Sequence, residues 1–341
     1  MVLSFPFDRR VSIAVSPRRD SSIRFYASDL NERKRTNLAN LKFKREDRWA
    51  NFIKAAVASC AEAGHASRGL NVTLCGDIPQ GLGLGSATAL RCAATIAVAL
   101  GTDWQATSEE VLGSLVDSDG NYFNRPGFPA LYASTLSATA GHMTFVDAKD
   151  NSSASMPMRV DDCRMFLIDT KVPRPPLDGE IQMRSDDCDT GLEILNGSGS
   201  RVLRDFSVDE LDEYLGVMPE RIRRHCVFHI EELQRVRDAR EAILHADYQS
   251  LYRLLNKSMT GLRNHYEISC PEVDWLVKRG QEIPGVLATR LLGRGFGGAV
   301  LAILENRAVS DFTSRIEEYE RIFGFHAGLL EISSGTGMMV Q

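Results

Sequence analysis

The stretch IPQGLGLGSATAL (Ile78–Leu90) sets three glycines at alternate positions directly before a hydroxyl residue and an alanine-rich segment. Glycine has no side chain to hold a bound group away from the main chain. When such a loop opens a helix, the unpaired N–H groups of the first turn and the helix dipole together attract anions. The pattern predicts a phosphate site formed by Gly81, Gly83, Leu84, Gly85 and Ser86.

Two familiar kinds of glycine loop do not fit this stretch. A P-loop would continue with Gly-Lys-Ser or Gly-Lys-Thr, and a dinucleotide fingerprint needs a βαβ context with a later acidic residue. The other interpretation is a tight turn whose glycines serve helix–strand packing, and the spacing alone leaves both interpretations open.

The elements around the loop follow from hydrophobic periodicity. Alternation over Leu70–Ile78 predicts a half-buried strand before the loop, and a helix is predicted from Ser86 to Leu100 after it. Helical spacing is also present over Trp49–Ala63. The remaining predicted strands of the first half are Val11–Val15, Ile23–Tyr26, Met143–Val146 and Met165–Ile168.

The second half is predicted to be largely helical. Residues Arg221–Met259 have helical periodicity with a polar break near His245–Asp247. Strands are predicted at Val286–Leu292 and Ala299–Leu304, on either side of a second glycine-rich stretch, GRGFGG. The proline-rich segment Lys171–Gly179 and the turn Asn196–Ser200 are interpreted as the region of a domain boundary.

Bulk composition excludes several classes of function. The chain has 341 residues, 43% of them hydrophobic, and a net charge of −5 with dispersed basic residues, so a nucleic-acid partner is not expected. The N-terminus lacks the pattern of a signal peptide, and the longest weakly polar run, Thr88–Gly101, is too short to cross a membrane. The seven cysteines form no CxxC pair, which is typical of reduced thiols and predicts a cytoplasmic protein.

Four segments resemble one protein family. PQGLGLGSATAL is similar to the phosphate motif of the GHMP kinases, the family of the galactokinase, homoserine, mevalonate and phosphomevalonate kinases. Three further segments occur in the family's order and narrow the resemblance to galactokinase: RWANFIKA (Arg48–Ala55), YEISCPEVDWLV (Tyr266–Val277) and TRLLGRGFGGAVLAI (Thr289–Ile303).

The resemblance implies a fold, cofactors and a reaction. The fold is α+β with two domains: a ribosomal-protein-S5-domain-2-like N-terminal GHMP domain over residues 1–185, which carries the phosphate loop, and a ferredoxin-like C-terminal domain over residues 186–341. ATP and Mg²⁺ are the implied cofactors, and the inherited reaction transfers the γ-phosphate to the anomeric hydroxyl of galactose. Further nucleotide-binding residues implied by the motifs are Trp49, Asn51, Gly293, Arg294 and Gly295, and Mg²⁺ ligands are Ser86 and Asp119.

The departures from the galactokinase pattern concern the chemistry. The family's catalytic aspartate lies in a Gly-Ile-Met-Asp-Gln-Phe-Ala-Ser segment, and the matching stretch GFPALYAS has Ala130 at that position. Alanine cannot accept a proton. Ile181 stands at the family's sugar-contacting tyrosine, and Ala87 at the second hydroxyl of the glycine loop. The opening residues align just after the family's Glu-His-Thr-Asp-Tyr motif, so that motif and the reactive-site arginine are expected to be absent unless the true start lies upstream of Met1.

Three functions follow as hypotheses. The first is a divergent galactokinase-like enzyme whose phosphorylation of galactose is weakened or lost. The second is a pseudokinase that binds nucleotide or a sugar as a regulatory or scaffolding module, and the third is a subunit that supports an active partner. Arg294, between two glycines, has two interpretations: its guanidinium donates to phosphate oxygens, or it occupies the anion site and excludes nucleotide.

Three other groups have simple alternatives. Asp117 and Asp119 stand beside Gly120, which favours an ordinary turn over a Mg²⁺ site that includes Asp119. His225 and His229 are four residues apart, a spacing that can bind metal on a helix, but no third ligand accompanies them. The basic run Arg221–His225 is interpreted as a solvated helix face.

Overall fold

The structure is a computed structural model that describes residues 1–65, 68–150, 152–159, 162–174, 176–197 and 199–340. Its contacts divide the chain into two compact units. The first comprises Met1–Gln80, Gly85–Met156 and Ser334–Gln341, and the second comprises Gly81–Leu84 and Pro157–Ser333. Gly81–Leu84, at the start of the first glycine loop, are therefore assigned to the second unit, although the chain on both sides of them is assigned to the first.

The first unit contains two sheets. The strands are β1 (Val2–Ser4), β2 (Val11–Pro17), β3 (Ser22–Ala27), β4 (Glu32–Asn37), β5 (Leu70–Gly76), β6 (His142–Asp147) and β7 (Ser152–Pro157). They form a four-stranded sheet of order β2-β5-β3-β4 and a three-stranded sheet of order β1-β6-β7. The consecutive strands β2 and β3 do not pair, because β5 lies between them, antiparallel to β2 and parallel to β3.

Four helices of this unit pack against its sheets and against one another. They are α1 (Ala50–Glu62), α2 (Ser86–Gly101), α3 (Ser108–Asn121) and α4 (Pro129–Leu136). The inward residues of β5, Leu70, Val72 and Leu74, are buried together with Ile53 and Val57 of α1. This packing explains the sequence patterns, since alternate residues of β5 and one face of α1 face the same core.

The second unit is built on one antiparallel sheet. Its strands are β8 (Cys163–Asp169), β9 (Val286–Leu291), β10 (Ala299–Glu305) and β11 (Gly328–Ile332), in the order β11-β8-β10-β9. Its helices are α5 (Asp178–Asn196), α6 (Val208–Asp212), α7 (Glu220–Leu244), α8 (Tyr248–Asn264), α9 (Pro271–Gln281) and α10 (Val309–Phe323). With helices between β8 and β9 and between β10 and β11, this is the ferredoxin-like βαββαβ order, as the sequence predicts.

The compact units do not divide at the predicted domain boundary. The predicted division after residue 185 falls inside α5, and β8, on its N-terminal side, pairs with β10 and β11 of the second unit. The prolines of Lys171–Gly179 connect β8 to α5 within one unit rather than joining two domains. Pro175 of that segment and Ser198 of the predicted turn Asn196–Ser200 lie outside the described residues.

In the part of the chain that the structure describes, no helix is both long and apolar enough to cross a membrane.

Candidate functional site

The glycines of the first loop adopt backbone angles that other residues rarely adopt. Gly81, Gly83 and Gly85 have φ values of +77°, +80° and +80°, all in the left-handed region. A residue with a Cβ atom is strained there by roughly 1–2 kcal/mol, which explains why glycine recurs at alternate positions. Gly85 immediately precedes α2, so the predicted helix start at Ser86 is confirmed.

The loop and the first turn of α2 present a row of free main-chain donors. Within the described residues, no hydrogen bond is made by an N–H group from residue 81 to residue 88. The first helical bond here joins the N–H of Ala89 to the carbonyl of Gly85. Unpaired N–H groups at a helix N-terminus favour bound anions. The donors fit the phosphates of a nucleotide without any side chain.

The second glycine stretch contacts the first, backbone to backbone. A Cβ atom built on Gly83 would lie 2.7 Å from Cα of Gly293, and one built on Gly293 would lie 2.8 Å from Cα of Gly83. Any side chain at either position would force the two segments apart, since real Cβ atoms do not approach other atoms this closely. Two motifs that are separated by about two hundred residues in the sequence therefore form one patch within the second unit.

Two arginines lie at this patch. Nη2 of Arg294 donates to Oδ1 of Asp178 at 2.6 Å, and both side chains are largely exposed. Arg174 is half-buried beside Gly298. A Cβ atom built on Gly298 would lie 2.9 Å from Nη1 of Arg174 and 3.3 Å from the carbonyl oxygen of Leu82. Arg174 is not predicted from the sequence, where its one local signal is its position between prolines in VPRPP.

Arg174 differs from Arg294 in its partners. Among the described residues no carboxylate pairs with it, and its one hydrogen bond is a 3.5 Å contact to the carbonyl of Gly295. A half-buried guanidinium that pairs with no described carboxylate adds positive charge beside Gly298 of the second glycine stretch.

Trp49 and Asn51 have structural partners in the first unit. Nε1 of Trp49 donates to Glu32 at 2.9 Å. Asn51 is buried, and its amide both accepts from the N–H of Lys44 at 3.2 Å and donates to its carbonyl at 2.7 Å. These contacts fix the segment that precedes α1, and the predicted roles of Trp49 and Asn51 toward a nucleotide stay predictions.

Ala130 lies in a region whose polar groups are already paired. It is buried in α4, two residues before Tyr132, whose hydroxyl donates to Oδ2 of Asp119 at 2.8 Å. Oδ1 of Asp119 accepts from Arg91 at 2.5 Å and from Arg125 at 2.8 Å. We call Arg91, Asp119, Arg125 and Tyr132 the α4 network, because they join α2 and α3 to α4.

Arg91 closes the α4 network. It is 2% exposed, and its Nη2 donates to the carbonyl of Leu115 at 3.0 Å and to the hydroxyl of Ser118 at 2.7 Å. Its guanidinium also lies 4.8 Å from the ring centre of Phe123. Both terminal nitrogens of this buried guanidinium therefore have hydrogen-bond partners, as a buried ion pair requires.

The predicted turn at Asp117 and Asp119 is wrong. Both residues belong to α3, whose capping box at Thr107 and Glu110 fixes its start and whose last residue is Asn121. Asp117 is exposed, whereas Asp119 is 1% exposed and bound to two guanidinium groups and a hydroxyl. In this arrangement the Asp119 carboxylate does not fit a Mg²⁺ ion, because it has no free oxygen facing solvent. The predicted role of Ser86, the first residue of α2, toward Mg²⁺ stays a prediction.

His225 and His229 lie on α7, where His225 has a carboxylate partner. Its Nδ1 lies 2.8 Å from Oδ2 of Asp187. The Asp187 carboxylate also accepts two hydrogen bonds from Arg221, so the run Arg221–His225, predicted as a solvated helix face, is only partly solvated. Burial lowers the pKa of the His225 imidazole, and the Asp187 carboxylate only partly offsets this. The described residues contain no group of three or more His, Cys, Asp or Glu side chains placed to hold a metal ion.

Comparison with known proteins places these features in a family. Residues 51–127 match the description "GHMP kinases N terminal domain", and residues 239–319 match "GHMP kinases C terminal". A Treponema pallidum protein named "Putative galactokinase" is 34% identical over 99% of this chain and 86% of its own length. The galactokinase of Roseiflexus sp. is 28% identical over 91% of this chain and 80% of its own length.

Solved structures show the same fold. The Lactococcus lactis galactokinase, crystallised with galactose, superposes with a TM-score of 0.87 at 19% identity, covering 98% of this chain and 94% of its own. A mevalonate kinase superposes with a TM-score of 0.62 at 14% identity, covering 97% of this chain and 91% of its own. Taken with the 34% identical relative, these matches show that the chain belongs to the GHMP kinase family.

Proposed function

We propose that this protein binds Mg·ATP through the glycine loop at residues 81–88 and is a galactokinase-like sugar kinase whose phosphorylation of galactose is weakened or lost. The observation that carries the proposal is the row of unpartnered N–H groups at the start of α2, with the backbone of Gly293 against Gly83. The relatives named galactokinase support the sugar as substrate class.

Two kinds of group in this chain contribute to the proposed binding of phosphate. The free N–H groups of the loop orient the phosphates, and Arg174 adds positive charge beside Gly298. ATP supplies the phosphoryl group that a kinase transfers. Binding of this kind depends on main-chain geometry, so the alanine at position 87 removes one hydroxyl but leaves the N–H donors in place.

The proposed weakness of catalysis rests on Ala130. A methyl group cannot take the proton of a sugar hydroxyl, and loss of a general base costs about 10²–10⁴ in rate. The buried carboxylate of Asp119 is held by two arginines, so it is not available as a substitute. Phosphoryl transfer relies mostly on positioning and electrostatics, so slow turnover remains compatible with this arrangement.

A second candidate function has one specific observation in its favour. The α4 network and the burial of Ala130 make the region of the missing aspartate a packed structural unit. A protein that binds nucleotide without turnover, as a regulatory or scaffolding module, needs the loop and not the base. The two functions differ in one measurable quantity, the rate of ADP release.

Calorimetric and thermal-shift titrations with Mg·ATP and Mg·ADP test the binding proposal. We expect a saturable shift of the melting temperature, since a ligand at one hundred times its Kd stabilises the folded state by about 2.7 kcal/mol. A flat titration with both nucleotides would contradict the proposal. A coupled ADP-release assay with galactose should give turnover below about 1 s⁻¹, the low end for enzymes, and faster turnover would show that Ala130 does not limit the chemistry.

Arg294→Gly decides between the two roles of Arg294. We propose that its guanidinium contacts phosphate, so the variant should bind Mg·ATP more weakly than the unchanged chain. Binding that appears only in the variant would instead identify the arginine as a group that excludes nucleotide from the site.

A further inference from the structure

The segment Tyr266–Ile268, which joins α8 to α9, is held by a buried arginine of α5. Nε of Arg184 donates to the carbonyl of Tyr266 at 2.7 Å, and its Nη2 donates to the carbonyl of Glu267 at 2.9 Å. Arg184 is only 4% exposed. One planar guanidinium thus donates hydrogen bonds to two consecutive carbonyls. The ammonium group of a lysine cannot donate in this fixed, two-pronged geometry.

The third nitrogen of the Arg184 guanidinium, Nη1, is also hydrogen-bonded. Its Nη1 donates to the carbonyl and to the carboxylate of Glu180, at 2.9 and 2.8 Å. Its guanidinium carbon lies 5.6 Å from the ring centre of Tyr266 and 5.3 Å from that of Phe296. Because Phe296 belongs to the second glycine stretch, the arginine touches both that stretch and the segment that supports it.

The segment in turn holds the second glycine stretch. The N–H of Phe296 donates to the carbonyl of Ile268 at 2.6 Å. A Cβ atom built on Gly295 would lie 2.6 Å from the same carbonyl oxygen, so the two backbones are in direct contact. The contacts therefore run from Arg184 through Ile268 to the stretch that includes Gly293, which lies against Gly83.

Two non-glycine residues along this path have left-handed backbone angles. Glu267 has φ of +54° and Phe296 has φ of +55°. Each such residue costs about 1–3 kcal/mol and persists only where its surroundings hold it in place. Arg184 is the described group that bonds to the carbonyl of Glu267 and lies against the ring of Phe296.

We propose that Arg184 is a positioning residue for phosphate binding. It does not itself contact the free N–H groups of residues 81–88. Instead it holds the segment Tyr266–Ile268, which in turn holds the Gly293–Gly298 stretch against Gly83. This inference rests on the proposed nucleotide binding at residues 81–88. Without the fork, the strained angles at Glu267 and Phe296 relax, and the second glycine stretch no longer holds the first in its phosphate-binding conformation.

Arg184→Lys tests this role against a matched control, Arg235→Lys. Arg235 is also a mostly buried arginine of the second unit, with bonds to Glu231 and Glu232 on its own helix. We expect both variants to fold with a similar loss of thermal stability. The Kd for Mg·ATP should rise about tenfold or more in Arg184→Lys, because small displacements of binding groups are costly, and less than twofold in Arg235→Lys.

Hydrogen exchange separates the two proposals if one of them fails. Amide protection at residues 266–268 and 293–298 should fall in Arg184→Lys and stay unchanged in Arg235→Lys. Absence of Mg·ATP binding by the unchanged chain would refute the proposed function, while the exchange pattern would still report on positioning. Equal Kd values for Arg184→Lys and the unchanged chain, or equal increases in both variants, would overturn the role of Arg184.

Discussion

The α4 network and the glycine loop differ in whether their polar groups are hydrogen-bonded within the protein. In the α4 network the buried charge of Arg91 meets Asp119, Tyr132, Ser118 and a carbonyl, and the donors and acceptors satisfy one another. Along the loop the N–H groups of residues 81–88 make no bond to any described residue. A region whose polar groups are paired stabilises the fold, whereas a region with free donors is ready to bind a partner.

The largest expected effect is on the paired region. Asp119→Asn keeps the size of the side chain but leaves Arg91 as a buried charge without a counterion. Removing one partner of a buried pair typically costs about 3–5 kcal/mol, and we expect this loss in the free energy of unfolding, measured with urea. The control is Glu282→Gln, which breaks an exposed pair with Arg279 and should change stability little. Equal stability of Asp119→Asn and the unchanged chain would show that the α4 network is not structural.

The next effect concerns the open region and should appear in binding. Gly83→Ala places a methyl group 2.7 Å from Cα of Gly293, so we expect the affinity for Mg·ATP to fall at least about tenfold. Gly324→Ala is the matched control, because Gly324 has φ of +74° in the same unit and no atom near its built Cβ. Both variants should lose about 1–2 kcal/mol of stability from strain, but only Gly83→Ala should lose affinity. A similar loss of affinity in Gly324→Ala would remove the loop from the explanation.

His225 and Asp187 form a third region that lies between these extremes. The pair is buried, yet Nε2 of His225 has no partner among the described residues. Burial lowers the pKa of the His225 imidazole below its ordinary 6.5. Just below pH 6.5 this imidazole is therefore protonated in the unfolded chain but largely neutral in the folded chain. The free energy of unfolding should therefore fall as the pH drops from 6.5 toward 5, by at most about 1.4 kcal/mol per pH unit. His225→Gln should flatten this slope in urea titrations, and an unchanged slope would assign the acid sensitivity to other groups.

The smallest expected effect is at the exposed rim of the open region. Asp178→Asn removes the carboxylate that pairs with Arg294 in the described part of the chain, and with it a negative charge near the glycines. Exposed pairs are weak, so we expect the affinity for Mg·ATP to rise about two- to fivefold at low salt. The gain should disappear at about 1 M salt, where the Debye length is roughly 3 Å. A loss of affinity in Asp178→Asn would mean that Asp178 instead orients Arg294 toward the phosphate.

The sequence predicts the open region well and the paired region poorly. Glycine at positions 81, 83 and 85 is a local signal, because left-handed angles restrict the residue type wherever they occur. The strands on either side of the second glycine stretch and the break between α7 and α8 follow from periodicity, and both are confirmed. These features depend on residues close together in the chain.

Features that depend on distant partners were not predicted. The fork of Arg184 toward Tyr266 and Glu267 and the position of Arg174 beside Gly298 need the tertiary fold. The glycine that follows Asp119 favours a turn in the sequence, but Asp119 lies in α3, which starts at the capping box of Thr107, and it bonds to Arg91. The strand β4, of sequence ERKRTN, carries no apolar alternation, so hydrophobic periodicity gives no signal for it.

The division of the chain into units has a consequence for how the protein can be cut. Gly81–Leu84 pack with the second unit while Gln80 and Gly85 belong to the first, and from Ser334 onward the chain returns to the first. A fragment that ends at Met156 would carry the first glycine stretch but not Gly293, against which it lies. A fragment that begins at Pro157 would carry the second stretch alone. Either fragment would therefore lack one side of the contact between Gly83 and Gly293, and a cut at residue 156 would separate the two glycine stretches.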